Sequence, residues 1–187
     1  MSDLAAQKRR PFLMPIGLFA LTAMVGTAVL MVAAWWLVTA DSTVVIVIRH
    51  AEKVEGGVDP PLSEAGEARA ALLARMFGDA AAPAHLDAIY VTSTLRSRMT
   101  AAPLAARLGV TPTVIASSDP KALALRALRE HSGGRVLIVG HADTMSALVS
   151  ALSGVQNVHG IDAEDYGTLF IVTVPRIGRA NLLRMRY

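Results

Sequence analysis

The segment that most constrains this chain is residues 44–53, which have the sequence VVIVIRHAEK. Its first five residues are β-branched and apolar, a pattern that predicts a strand buried on both faces, as in a parallel sheet. Arg49 and His50 follow this strand directly. In open α/β sheets, ligands bind just outside the carboxyl ends of the strands. A guanidinium and an imidazole placed there can bind an anion and react with it.

Strands and helices are predicted to alternate through the rest of the chain. Further strands are expected at residues 86–91, 113–116, 135–140, 166–174 and 180–187. Helices are expected at residues 63–77, 95–108, 120–131 and 143–152. This alternation builds βαβ units. The predicted fold is α/β, a three-layer sandwich with a mostly parallel central sheet and helices on both faces.

The N-terminal region predicts one transmembrane helix before this domain. Residues 11–40 contain no charged residue, and a bilayer core needs only about 20 consecutive apolar residues. Trp35 and Trp36 lie near the end of the run, where an interfacial aromatic anchor is expected. Three basic residues at positions 8–10 favour a cytoplasmic N-terminus. We therefore expect the chain to bind the membrane through residues 12–40.

This topology divides the chain into two parts. Residues 1–40 form a cytoplasmic tip and an anchor, and residues 41–187 form a periplasmic or extracellular domain. The competing interpretation is a cleaved signal peptide, because Val38, Thr39 and Ala40 suit a small-residue cleavage site. A signal peptide has an apolar core of about 7–15 residues, which is shorter than this run. The sequence therefore favours the uncleaved anchor.

Charge and cysteine content exclude several classes of protein. The chain has 18 Lys and Arg, 15 Asp and Glu, and no cysteine. Without cysteine it cannot be a thiolate phosphatase, a Cys zinc protein or a disulfide-stabilised domain. It also lacks a basic stripe with interleaved aromatic residues, so we expect no nucleic-acid partner.

Five segments resemble the histidine phosphatase superfamily, the phosphoglycerate-mutase-like family, in the family's order and in the manner of its small RHAEK-type branch. They are RHAEK at 49–53, PLSEAGEARA at 61–70, YVTSTLRSRMTAAPLA at 90–105, VLIVGHADT at 136–144 and DYGTLFIV at 165–172. Each segment alone is a weak signal, but together they cover almost all of the domain. The resemblance implies that domain's fold and its chemistry.

The resemblance also implies roles for four residues. In that family the histidine after the first arginine is the nucleophile, which matches His50. Arg49 and Arg96 match the two arginines that bind the phosphoryl group, and His141 matches the second histidine. A neutral imidazole attacks phosphorus to give a phosphohistidine, which water hydrolyses, while arginines stabilise the phosphoryl oxygens. The implied enzyme is a phosphomonoester phosphatase that needs neither metal nor cofactor.

The proton donor stays open among Glu52, Asp119 and Asp143. Glu52 is equally suited to orienting His50 or Arg96, and Asp143 is equally suited to capping a helix. Among the remaining histidines, His85 and His131 are expected at the surface. His159 lies in a loop that follows the His141 helix and is a weaker candidate for the site.

Two alternatives compete with this function. His50, His141, Asp143 and Asp119 are of the types that form an N/O metal site, although two arginines would repel the ion. The second alternative is a catalytically weak or inactive, membrane-tethered phosphate-binding module. Phosphoglycerate mutase activity is not expected because the domain lacks the long insertions of the mutases. The expected partners are phosphorylated small molecules, envelope glycans or phosphoproteins.

The predicted topology can be tested with a reporter fused after Tyr187. A periplasmic alkaline phosphatase reporter should be active and a cytoplasmic fluorescent reporter dark, because the basic residues at 8–10 hold the N-terminus inside. Membrane fractionation separates the anchor, which stays in the membrane, from a cleaved signal peptide, which releases the domain. An active cytoplasmic reporter would contradict this orientation.

Overall fold

The computed structural model describes residues 14–38, 42–79, 85–115, 119–156, 158, 162 and 164–187. The chain divides into two compact units, Met1–Thr39 and Ala40–Tyr187. The first contains helix α1 (Met14–Val38). Within it, Gly17–Trp36 has a mean hydropathy of 2.1 and is long enough to cross a membrane. A signal sequence near the N-terminus can meet the same criteria of length and hydropathy, so this helix does not by itself separate the two interpretations.

The described part of the second unit alternates strands with helices. In chain order, these elements are β1 (Thr43–Arg49), α2 (Glu64–Gly78), β2 (Ala88–Thr92), α3 (Leu95–Leu108), β3 (Thr113–Ile115), α4 (Pro120–Glu130), β4 (Arg135–Gly140), α5 (Ala142–Ser153), β5 (Thr168–Val174) and β6 (Asn181–Arg186). The predicted order of elements is confirmed. Strand β2 begins two residues later than predicted, because the side chain of Asp87 accepts the Arg135 N–H at 2.6 Å and takes the place of a ladder bond.

All six strands form one mixed sheet in the order β3-β2-β4-β1-β5-β6. Strand β4 pairs in parallel with both β1 and β2, and β2 pairs in parallel with β3. Strands β5 and β6 extend the sheet in antiparallel pairs. The sheet is therefore mostly parallel, as predicted.

Each face of the sheet carries its own apolar core, because successive side chains of a strand point to opposite faces. On one face, Val45 and Val47 of β1 belong to a cluster with residues of α4 and α5. On the other face, Ile46 and Ile48 belong to a cluster with residues of α2 and α3. Continuous apolar strands are required when both faces are covered. The predicted three-layer arrangement is confirmed.

Capping residues fix where the helices begin and end. Ser63 caps α2 by accepting the Gly66 N–H, and Asp119 caps α4 by accepting the Ala122 N–H. Gly154 ends α5 in the left-handed conformation that glycine adopts most easily. The suggestion that Asp143 caps α5 is wrong. His141 holds the N-cap position, and Asp143 lies within the first turn, where a negative charge is favourable beside the helix N-terminus.

Gly66 allows helix α2 to pack directly against the loop that follows β1. A Cβ atom at this position would overlap the carbonyl oxygen of Glu52. The same loop and helix are joined by a hydrogen bond from the Ser63 N–H to the Glu52 carbonyl, at 3.0 Å. The glycine therefore fixes how closely the helix approaches the segment that begins with Arg49 and His50.

We expect Gly66→Ala to lower the free energy of unfolding by about 1–3 kcal/mol, because the new methyl group overpacks against backbone that cannot rotate away. Helix propensity alone would predict the opposite sign, a gain of up to about 1 kcal/mol. The control Ala68→Gly, at an exposed position of the same helix, should lose about 1 kcal/mol. Urea unfolding followed by circular dichroism measures both. A stabilised Gly66→Ala variant would contradict the close packing.

Candidate active site

The parallel pairing of three strands places the predicted site residues at one edge of the sheet. In the β1–β4 ladder, Arg49 pairs with Gly140, so His50 and His141 leave neighbouring strands at the same level. The His50 N–H donates to the Gly140 carbonyl at 3.0 Å. Strand β2 ends at the same edge with Thr92. The site is therefore built at the carboxyl ends of adjacent parallel strands.

His50 is almost completely buried, with 3% of its surface exposed. Its Nδ1 lies 2.8 Å from the carbonyl oxygen of Ala51, so this nitrogen carries the proton and donates it. The other ring nitrogen, Nε2, accepts a hydrogen bond from Arg96 Nε at 3.1 Å and therefore holds the lone pair. Burial, aided by the charges of Arg49 and Arg96, lowers the pKa of His50 to about 4. The ring is thus a neutral imidazole with Nε2 as its nucleophilic atom.

Arg96 is held in the first turn of α3 by a link between that helix and the end of β1. The Thr100 hydroxyl donates to the Arg96 carbonyl at 2.8 Å and accepts the Ala51 N–H at 2.9 Å. Thr100 is fully buried. Arg98, two residues further along α3, is exposed and lies in a separate groove beside Val114 of β3. Arg96 is therefore the arginine that the fold brings to His50.

His141 faces His50 across the site. The two ring centroids are 5.3 Å apart in an edge-to-face arrangement, and His141 Nε2 lies 3.0 Å from the Thr92 hydroxyl oxygen. Thr92 in turn donates to the buried Ser97 hydroxyl at 2.7 Å. Burial and the charge of Arg96 lower the pKa of His141, while Asp143 opposes this shift. An incoming anion would raise the pKa of His141 and favour its charged form.

Arg49 is the most deeply buried cation of the site, with 7% of its surface exposed. Its guanidinium carbon lies 3.9 Å from the centroid of the Tyr166 ring. Its Nη1 lies 3.5 Å from the backbone oxygen of Asp162. Arg49, Arg96 and the two imidazoles together form a compact, positively charged group suited to a phosphoryl dianion.

The three candidate proton donors have different surroundings. Glu52 is bound by Arg69 through contacts of 2.6–2.9 Å, and the hydrogen bond from Arg69 holds the pKa of Glu52 below its usual value despite partial burial. Asp119 accepts the Ala122 N–H at 2.9 Å as the cap of α4. Asp143 is exposed in the first turn of α5, close enough to His141 to influence its charge. His159 lies outside the described residues.

Two further residues join the site although sequence analysis did not single them out. Asp59 accepts the Leu95 N–H with both carboxylate oxygens, at 3.0 and 2.9 Å, and lies 3.5 Å from Arg96 Nη1. Tyr166 contacts both Arg49 and His50. Asp59 lies in a loop with no periodic pattern, and its partner Leu95 is 36 residues away in the sequence. The spacing of residues in the sequence therefore could not indicate this contact. Tyr166 was visible only as part of the DYGTLFIV segment.

The described residues give little support to the alternative of a metal site. Among the described residues, no group of three or more His, Asp or Glu side chains could hold a metal ion. Asp119 serves as a helix cap, and Arg96 donates directly to His50 Nε2, the nitrogen that a metal would need.

Comparison with known proteins identifies the family. The model of the histidine phosphatase superfamily (branch 1) matches residues 45–117, which include Arg49, His50 and Arg96. Over this segment the chain resembles the histidine phosphatase superfamily, as the sequence predicts. The match with this model confirms the predicted enzyme class, a phosphatase. No curated protein matches the sequence.

Solved structures share the histidine phosphatase fold. The protein histidine phosphatase SixA in complex with tungstate superposes with a TM-score of 0.63 at 16% identity, over 76% of this chain and 96% of that chain. A protein from Agrobacterium tumefaciens that carries the SixA name has a TM-score of 0.59 at 23% identity, over 78% and 99% of the two chains. A mycobacterial glucosyl-3-phosphoglycerate phosphatase has a TM-score of 0.58 at 14% identity, over 75% and 97%. At these identities the likeness establishes the fold alone.

The lowered pKa of His50 predicts how the stability of this domain responds to acid. The native ring should titrate near pH 4, whereas the unfolded chain binds the proton near its ordinary value of 6.5. The unfolded state then binds more protons between these values, so the free energy of unfolding should fall as the pH decreases from about 6.5 to about 4.

The ring protons of His50, followed by NMR, measure the native value. His50→Asn supplies the assignment and should reduce the loss of stability in this pH range. A native titration midpoint at or above 6.5 would contradict the buried, neutral ring.

Proposed function

We propose that this chain is a metal-independent phosphomonoester phosphatase that acts through a phosphohistidine at His50. One observation carries the proposal: a buried, neutral imidazole has its Nδ1 proton fixed by Ala51, while its Nε2 lone pair faces the arginine and second histidine of the site. A nucleophile must be unprotonated at the attacking atom, and the phosphoryl group must be held in line with it. The fixed Nδ1 proton supports the first condition, and the position of Arg49, Arg96 and His141 around the ring supports the second.

In the first step, Arg49, Arg96 and His141 bind the phosphoryl oxygens. Arg96 exchanges its hydrogen bond to His50 Nε2 for one to the incoming phosphate, which frees the lone pair. Nε2 then attacks phosphorus, the P–N bond forms, and the bond between phosphorus and the leaving-group oxygen breaks. The leaving oxygen takes a proton from the donor. Arginine charges stabilise the equatorial oxygens, where negative charge gathers in the transition state.

In the second step, water attacks the same phosphorus from the vacated side. Its proton returns to the deprotonated donor, the P–N bond breaks, and the electron pair of that bond returns to His50 Nε2. Inorganic phosphate leaves, and Arg96 resumes its contact with the imidazole. The cycle returns every proton to its starting group, and no atom changes its oxidation state, so the reaction needs no redox partner.

For the proton donor we propose Asp143. Within the described part of the chain its carboxylate has no hydrogen bond or ion pair, and it influences the charge of His141. Glu52 is bound to Arg69 and Asp119 caps α4, so both would have to give up a stabilising contact to transfer a proton. A carboxyl group with a lowered pKa is almost entirely deprotonated near neutral pH and therefore has no proton to donate, which argues against Glu52.

The cellular setting follows from α1. We propose that this helix anchors the chain, with the catalytic domain on the periplasmic or extracellular side. The helix is apolar over Gly17–Trp36, and the basic residues before it favour an internal N-terminus. Substrates near the envelope then include phosphosugars, lipid or glycan head groups and phosphoproteins. Two structural neighbours are a protein histidine phosphatase and a glucosyl-3-phosphoglycerate phosphatase, which supports the inclusion of phosphoproteins and phosphosugars among these substrates.

The alternative function is a phosphate-binding module with little or no turnover. One observation favours it: the carboxylate of the RHAEK segment, Glu52, is neutralised by Arg69 instead of facing the nucleophile. Both functions would use the positively charged group formed by Arg49, Arg96 and the two imidazoles, and they differ in whether the bound phosphate ester is hydrolysed. A measurement of turnover therefore separates them.

We expect His50→Ala to reduce hydrolysis of an aryl phosphate by at least about a thousandfold, because loss of the nucleophile removes the covalent step. Turnover is measured on the full chain in detergent, and the intermediate is detected after an alkaline quench as a phosphoprotein that is stable in alkali and labile in acid. His85→Ala is the matched control: His85 is half-exposed and lies beside Asp87, ahead of β2. It should keep full activity.

Three outcomes would count against this proposal. Full activity of His50→Ala would exclude the mechanism, and an inactive wild-type chain that still binds phosphate would favour the binding module. Loss of activity in EDTA would favour a metal-dependent enzyme.

A further inference from the structure

Tyr166 lies against two deeply buried residues of the site, Arg49 and His50. The centroid of its ring is 3.9 Å from the Arg49 guanidinium carbon and 5.9 Å from the centroid of the His50 ring. Tyr166 itself is half-buried, in the segment that leads into β5. At 3.9 Å the guanidinium is in contact with the aromatic face, which is the arrangement of a cation–π pair. This contact has no part in the steps of hydrolysis described above.

The same segment provides a second contact to the same guanidinium. The backbone oxygen of Asp162 lies 3.5 Å from Arg49 Nη1, four residues before Tyr166. A planar guanidinium with an aromatic ring on its face and a carbonyl oxygen near one nitrogen is restricted in both tilt and rotation. The segment before β5 thus restrains the side chain of an arginine that is carried by β1.

Restraint matters because arginine is a long and flexible side chain. If it were free in the empty site, binding a phosphate would have to order it at an entropic cost. Deep burial of Arg49 already limits this freedom, and the Tyr166 ring selects among the remaining orientations. A residue that orders the arginine before binding should therefore raise phosphate affinity without itself touching the phosphate.

We propose that Tyr166 is a positioning residue that orders Arg49 for the phosphoryl group. This proposal rests on the proposed function only in that Arg49 binds phosphate. The contact is made by the ring face, so a phenylalanine at this position should replace the tyrosine. An aliphatic residue of similar size should not.

The test measures binding and turnover separately, on the full chain in detergent. Calorimetry with inorganic orthophosphate gives the dissociation constant, and an aryl phosphate gives KM and kcat. We expect Tyr166→Leu to weaken orthophosphate binding and to raise KM by about tenfold, with kcat within about threefold, because a loss of uniform binding raises KM alone. Tyr166→Phe should stay within about twofold of the wild type in all three values.

Arg126→Ala is a matched control, because Arg126 lies over another tyrosine, Tyr90, at 5.7 Å and is paired with Glu130 at the surface. It should leave phosphate binding unchanged. A double variant tests the route of the effect. In an Arg49→Ala background, Tyr166→Leu should cause no further loss, because the residue it positions is gone. Tyr166→Met, a second ring-free variant, replaces Tyr166→Leu if the latter unfolds.

Three results would overturn the proposal. They are unchanged phosphate binding in the ring-free variants, an equal loss in Tyr166→Phe, and a full additional loss in the Arg49→Ala background. Calorimetry also separates this proposal from the proposed function. A wild-type chain that binds orthophosphate without turnover would refute the catalytic function. The dissociation constants of the Tyr166 variants would then still decide whether Tyr166 positions Arg49. A wild-type chain that does not bind orthophosphate would overturn both.

Discussion

The parallel pairing of β1 with β4, and of β4 with β2, is the constraint on which the site depends. Register Arg49↔Gly140 places two histidines from distant parts of the chain at one level, and Val91↔Val139 brings the end of β2 beside them. These strands are apolar on both faces because helices cover both faces. The same burial that stabilises the strands delivers the residues after them to a partly desolvated edge, where charged and hydrogen-bonding groups act more strongly than in water.

Burial and positive charge together determine the state of the nucleophile. Desolvation and the nearby arginines keep His50 neutral, and the hydrogen bond to Ala51 fixes which nitrogen holds the proton. Thr100 joins the Ala51 N–H to the Arg96 carbonyl, so the orientation of the ring and the position of the arginine depend on one another. A substitution at Thr100 would therefore disturb binding and nucleophilicity at once. The charges that keep the imidazole neutral are the same charges that attract a phosphate dianion.

Sequence analysis predicted the parts of this structure that local chemistry determines. Apolar runs gave the strands, Ser63 and Asp119 marked two helix starts, and the strand ends indicated Arg49, His50 and His141. The family resemblance indicated Arg96. It did not predict contacts between distant loops. Glu52 pairs with Arg69 from α2, and Asp59 binds the start of α3. Such contacts depend on how loops fold over the sheet edge, and no periodicity in a single sequence reports that.

The aromatic residues of the chain are divided between its two units. Both tryptophans, Trp35 and Trp36, lie in α1 with 72% and 63% of their surfaces exposed, whereas all three tyrosines lie in the domain that begins at Ala40. Indole fluorescence therefore reports the surroundings of the N-terminal helix. Tyrosine absorbance reports the domain instead. One of its three chromophores, Tyr166, lies on the guanidinium of Arg49, so part of that signal comes from the candidate active site itself.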